Sequence, residues 1–132
     1  MAKRISLESE RLIREHIVSV SQLEVLLFLR DHEPEWCTVG AITAAMGLVA
    51  DMTASLLDDL RRRGFLSQLV ESPDRYTYHP ADDGLRRQVD ALAKDYAAYR
   101  HSIITLIFSS PPESVRSFSE AFRLRKRSGN DD

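Results

Sequence analysis

Seven apolar residues, Leu85, Val89, Leu92, Tyr96, Tyr99, Ile103 and Leu106, follow one another at spacings that alternate between four and three. Only an α-helix brings such a series onto one side, and a heptad period makes that side a seam that must be covered. A continuous helix over 85–106 would be about 33 Å long, so this one segment commits the chain to a helix-dominated fold. Asp82 or Asp83 is placed to cap its start, and the run Ser109-Ser110-Pro111-Pro112 breaks its end. The hydroxyls of Tyr96 and Tyr99 fall mid-seam and require hydrogen-bond partners. The seam can close on the first helices of its own chain or on a second copy. Seven positions exceed what a globule of 132 residues needs to cover, which favours a homodimer joined through these residues.

Shorter helical patterns precede the seam. Residues 7–18 carry Leu7, Leu12, Ile13 and Ile17 on one face. Ser19 with Gln22 has the form of a capping box and opens a helix through Leu23, Leu26 and Leu27 to about Asp31, where Glu33-Pro34 ends it. Trp36 and Cys37 form a short extended link. Thr38 caps the next helix, whose inner face is Val39, Ile42 and Met46 and whose end is Gly47. A further helix over 49–63 has Met52, Leu56, Leu57 and Leu60 as its inward stripe and stops at Gly64. Two strand-like runs, 65–70 and 76–79, flank the turn-forming sequence Glu71-Ser72-Pro73-Asp74-Arg75 and read as a β-hairpin closed by Pro80. Beyond the seam, Ser110, Pro111 and Glu113 start a last helix with Val115, Phe118 and Phe122 along one side, followed by Arg123, Arg125, Lys126 and Arg127. The expected class is mainly α with a small β-hairpin (α+β). The expected organisation is a helical extension over 1–18, a helix-and-hairpin unit over 19–80, a dimerisation helix and arm over 81–127, and a disordered tail over 128–132.

The pairing of Ala45-Met46-Gly47-Leu48 with Leu56-Leu57-Asp58-Asp59-Leu60-Arg61-Arg62-Arg63-Gly64-Phe65-Leu66 resembles the winged helix-turn-helix of MarR-like bacterial transcriptional regulators. Each part of the likeness has a mechanical reason. Gly47 permits a tight turn between crossed helices, the leucines lock the third helix inward, and Gly64 lets the chain reverse into the hairpin. The resemblance covers about 19–80, and the long helix after the wing is similar to the dimerisation helix of such regulators. It implies that the third helix enters the DNA major groove and that the hairpin tip touches the backbone or minor groove. The outward positions would then be Ala50, Asp51, Ala54, Ser55 and Asp58, with Thr53 at their edge. Thr53 and Ser55 are the neutral hydrogen-bond donors of that face, and Arg61, Arg62 and Arg75 its candidates for phosphate contact.

Charge pulls against that implication. Residues 19–80 hold five arginines against nine acidic residues, a net of −4, and Asp51 and Asp58 would repel phosphates. DNA affinity depends heavily on phosphate neutralisation, so a second function stays open: a winged-helix adaptor that binds a protein of the transcription or signalling machinery through its acidic face or its C-terminal arm. Enzyme classes are not supported, since no Gly-rich phosphate loop, GxSxG element or paired catalytic carboxylate pattern occurs. His16, His32, His79 and His101 share no metal-ligand spacing with one another or with Cys37, and no cofactor is implied. The single cysteine and the lack of an apolar leader or membrane-length run point to the cytoplasm.

Overall fold

Side-chain oxygens mark where the helices begin. Ser6, Ser19, Thr38 and Asp82 each accept a hydrogen bond from the backbone N–H three residues on, at Ser9, Gln22, Ala41 and Leu85, satisfying donors that a helix start leaves unpaired. The computed structural model describes residues 5–109. Within them the caps open α1 (Leu7–His16), α2 (Val20–Asp31), α3 (Val39–Met46) and α5 (Asp83–Ala98), while α4 (Ala50–Arg62) starts without one, and α6 (Arg100–Ser109) follows α5. The capping box at Ser19 differs from expectation in one bond: Gln22 Oε1 takes the N–H of Val18 (2.7 Å), one residue earlier. The expected last helix from Ser110, the apolar stripe Val115, Phe118 and Phe122, the basic run and the tail lie outside the described residues.

Helices α3 and α4 are joined at Gly47, whose φ of 69° is left-handed, and their axes bend by 112°, within the range of helix-turn-helix pairs. Gly64, at φ 94°, turns the chain out of α4, and a Cβ there would press on Ala81 Cβ at 3.4 Å. Strands β2 (Leu66–Gln68) and β3 (Arg75–Tyr78) pair antiparallel, Leu66 opposite Tyr78 and Gln68 opposite Tyr76. The link at Cys37 is more than a connector. Cys37–Thr38 is β1, which pairs with β3 on its other edge, so the sheet has three strands in the order β1-β3-β2. Two residues carry too little pattern for sequence to show a strand; the hairpin supplies the template.

The core joins Leu12, Ile13 and Ile17 of the first helical segment to Leu23, Leu26 and Leu29 of α2, Ile42 of α3, Leu57 and Leu60 of α4, and Val89 and Leu92 of α5. Leu7, expected on the inner face of α1, is 77% exposed. The seam from Leu85 to Leu106 departs from expectation in two ways. It is not one helix: Tyr99 (φ −133°, ψ 53°) leaves helical geometry and separates α5 from α6. Nor does it face outward, because α1 packs on both α5 and α6. Val89, Leu92 and Ile103 have no exposure in the single chain, and Tyr96 is also buried. Leu85 and Leu106 pack partly buried against this core, leaving Tyr99 the exposed member of the series. The apolar face of α1 reaches α5 within the same chain, so Val89, Leu92, Tyr96 and Ile103 of the seam belong to the internal core of the single chain. Tyr96 finds its partner on α2, its hydroxyl donating to Glu24 Oε2 at 2.7 Å.

A buried carboxylate fastens α1 to α5. Asp95 Oδ2 accepts from the Ser9 hydroxyl (2.6 Å), the Ser6 N–H (2.9 Å) and the Ser6 hydroxyl (3.1 Å), all at the N-terminus of α1, where a negative charge also meets the favourable end of the helix dipole. Burial pushes the Asp95 carboxyl up, but the hydrogen bonds from Ser9 and Ser6 outweigh it and hold the group below its ordinary value of 3.8. Asp95→Ala should lower stability by about 1.5–3 kcal/mol at neutral pH, as for hydrogen bonds to a charged group. Because the folded-state pKa is depressed, this contribution is full above the ordinary value and fades as pH falls through the folded one. Urea midpoints of wild type and Asp95→Asn measured from pH 7 downward should therefore converge in acid; a gap that stays constant would show that the carboxylate charge is not what binds α1.

Candidate nucleic-acid interface

Buried residues at positions 53, 57 and 60 set the orientation of α4: Thr53, Leu57 and Leu60 have no exposure, and they recur at helical spacing on one side. The opposite side is open. Ala50, Asp51, Ala54 and Ser55 are exposed, as expected for the outward face. Two neighbours behave differently from the sequence expectation. Thr53 is fully buried and its hydroxyl donates to Val49 O at 3.2 Å, so it cannot serve a ligand in this conformation. Met52, expected inside, is 47% exposed, and Val49 beside it is 67% exposed. The stripe is thus rotated by part of a turn: Thr53 satisfies its hydroxyl locally and can occupy the inner position, while Leu56 is only half-buried.

At the other end of α4 the arginines are already engaged. Arg61 Nη2 lies 2.8 Å from Asp58 Oδ1, and Arg62 Nε lies 3.0 Å from Asp58 Oδ2. The hydrogen bond from Arg61 is the main cause holding the Asp58 carboxyl below its usual range, with the charge of Arg62 adding to it. Asp58, which alone would repel a phosphate, is therefore covered by two cations. All three side chains are 37% exposed or more, and exposed pairs of this kind are weak enough to be exchanged for a stronger anion. Arg63 plays a different part. Its Nε meets Asp59 Oδ2 at 2.8 Å and its Nη1 donates to Glu15 O at 3.3 Å, while buried Gln22 donates to the same Asp59 oxygen at 2.6 Å. That set ties the end of α4 to α1 and α2.

Arg75 stands exposed where β3 leaves the hairpin turn, with Glu71 and Asp74, also exposed, beside it. The turn is held by Arg75 N–H on Ser72 O (2.9 Å) and by Gln68 Nε2 on Pro73 O (2.7 Å), and Val70 projects from it at 87% exposure. Ser55, Arg61, Arg62 and Arg75 are thus all at the surface, and Thr53 is not. Elsewhere the chemistry is quiet. Burial pushes the Cys37 thiol up, and Glu35 adds to the shift, the reverse of what an activated thiol needs. Among the described residues no group of three His, Cys, Asp or Glu could hold a metal ion. In the same range no single helix is long and apolar enough to cross a membrane.

No family model and no curated protein matches the sequence. Solved structures do match in shape. A mutant of MepR from a multidrug-resistant Staphylococcus aureus clinical isolate superimposes with a TM-score of 0.52 at 15% identity, covering 95% of this chain and 88% of that one. MepR itself, a transcription regulator of the S. aureus multidrug efflux pump MepA, gives 0.50 at 17% identity over 92% of this chain and 90% of that one. The fold is the winged helix-turn-helix of MepR. Bordetella bronchiseptica BpsR, whose DNA binding is regulated by 6-hydroxynicotinic acid, gives 0.48 at 20% identity over 92% and 82%.

The paired arginines make a testable statement about this face. Asp58→Asn removes the anion they share and leaves two uncompensated guanidinium groups at the end of α4. Fluorescence anisotropy with random-sequence duplex should show tighter binding than wild type and a steeper fall with salt. Unchanged affinity would show that these arginines do not approach the backbone.

Proposed function

We propose that the chain is a homodimeric winged-helix DNA-binding transcriptional regulator, with α4 laid in the major groove and the hairpin against the flanking backbone. The observation that carries this reading is the 112° crossing of α3 and α4, with three inward residues of α4 buried and its far side open to solvent. That is the arrangement by which a helix-turn-helix presents a reading helix. Similarity of shape to a transcription regulator supports it. Ser55 is the surface donor on the reading face, and Arg61, Arg62 and Arg75 are the phosphate contacts.

We place the surface for the second copy at the margin of the seam, since most of the seam is buried within the chain. Leu7 of α1, Phe108 of α6 and Tyr99 at the joint are exposed by 77%, 76% and 37%, and α1 and α6 pack together. This helical layer is the surface for the second subunit, leaving both reading helices free for two half-sites about one DNA turn apart. Light scattering behind size exclusion should return about twice the 15.0 kDa chain mass. Leu7→Glu with Phe108→Glu should give a folded monomer, whereas Leu92→Glu should unfold the chain, because its side chain has no exposure and a buried unpaired charge costs several kcal/mol. A folded double variant that stays dimeric would remove α1 and α6 from the interface.

One observation favours the adaptor reading: the acidic residue Asp51 stands between exposed Val49 and Met52 at the start of α4, and 19–80 carries net −4. Salt titration separates the two. For a DNA-binding regulator, Arg62→Ala and Arg75→Ala should each reduce the slope of log K against log salt by roughly one, alike for all sequences. Absence of duplex binding at about 50 mM salt, where non-specific contacts are strong, would leave the adaptor.

A further inference from the structure

From Val39 to Leu57, through α3 and the first two turns of α4, the sequence contains no Arg, Lys, Asn, Gln or His. Those are the side chains that read guanine by O6 and N7 or adenine by N6 and N7 in the major groove. Thr53 and Thr43 do not replace them. Thr53 is buried with its hydroxyl spent on Val49 O, and Thr43 Oγ1 is buried. What the start of α4 does expose is its cap residue Val49, Met52, the small residues Ala50 and Ala54, the carboxylate of Asp51 and the hydroxyl of Ser55. The specific major-groove partner of an apolar side chain is the thymine C5-methyl, and an aspartate, which only accepts, characteristically pairs with the cytosine N4 amine. We infer that α4 reads pyrimidines: Met52 and Val49 pack on thymine methyls and Asp51 accepts from a cytosine amine. This rests on the DNA-binding reading proposed above.

The distances on the helix agree. Asp51 and Arg61 are ten residues apart, about 15 Å along the axis, against a major groove about 12 Å wide. With the first turns on the groove floor, Arg61 and Arg62 reach the phosphates of one wall. Recognition and charge neutralisation are thereby assigned to opposite ends of α4, and Asp51, unhelpful to affinity, gains a purpose as a specificity-determining residue. Its repulsion from the backbone is least at the centre of the groove, where an amine can meet it.

The test selects duplexes from a randomised 20-base-pair pool with the full-length wild-type chain at low salt, then measures the selected sequence with deoxyuridine in place of thymidine. The selected sites should hold thymines and a cytosine at fixed positions. Removing the methyl groups should weaken binding about fourfold for each thymine contacted, the value of one buried methyl group. Asp51→Asn should move the preference at the cytosine position to adenine, because an amide pairs with adenine N6 and N7, and Met52→Ala should abolish the response to deoxyuridine at one position. Selected sites built on guanine and indifferent to both deoxyuridine and Asp51→Asn would overturn the inference while leaving the DNA-binding function in place, as would tight binding with no selected sequence. Failure of the pool to bind at all would overturn the proposed function, and this inference with it.

Discussion

The inner stripe of α4 is the constraint on which the functional surface depends. Thr53, Leu57 and Leu60 are each without exposure, and the buried amide of Gln22 and the guanidinium of Arg63 converge on Asp59 one turn from the helix end. Burial of two leucines fixes which side of the helix faces the core. The polar set fixes how far along its axis the helix sits, because the Gln22 side chain is itself held by Val18 N–H and its backbone N–H donates to the Ser19 cap. With rotation and translation both set, the open side of α4 is a rigid surface, and rigidity is what a reading element needs. The same Arg63 reaches Glu15 O, so α1 has a hand in the position of α4.

The second fastening is between α1 and α5, and it decides what is left for a partner. Asp95 gathers the N-terminus of α1 through Ser6 and Ser9, and Leu12, Ile13 and Ile17 then close over the seam. Leu7 and Phe108 are left at the outer edge of the layer, along with the kinked joint at Tyr99. A segment whose periodicity resembles a dimerisation helix is consumed mostly inside its own chain, and the proposed intersubunit contact shifts to its margins.

Much of the fold was legible in the sequence because it is written in local chemistry. Ser19, Thr38 and Asp82 are caps that need only three residues to be recognised, and Gly47 and Gly64 occupy the two left-handed positions that punctuate α4. What was not legible depended on distant partners. Cys37 and Thr38 become a strand only because β3 offers an edge. The heptad series could not reveal that α1 covers it or that Tyr99 interrupts it. At the site, the surface positions of Ser55, Arg61, Arg62 and Arg75 followed from helical spacing and from polarity. Thr53 and Met52 exchanged roles because hydrophobicity alone places a methionine inside, whereas a threonine that bonds its own preceding turn buries just as well. The pairing of Asp58 with both arginines lay in the i, i+3 and i, i+4 spacing and changes the meaning of the acidic charge on this face.

The central claim is that the open side of α4, with the hairpin, is where this protein meets duplex DNA. Backbone amide shifts in a heteronuclear NMR titration with a short random duplex at low salt test it most directly. The expected result is a perturbed set confined to Ala50, Asp51, Met52, Ala54, Ser55, the Arg61–Arg62 end of α4 and the turn from Val70 to Arg75. Perturbations centred instead on α1 and α6, or none at saturating duplex, would contradict it.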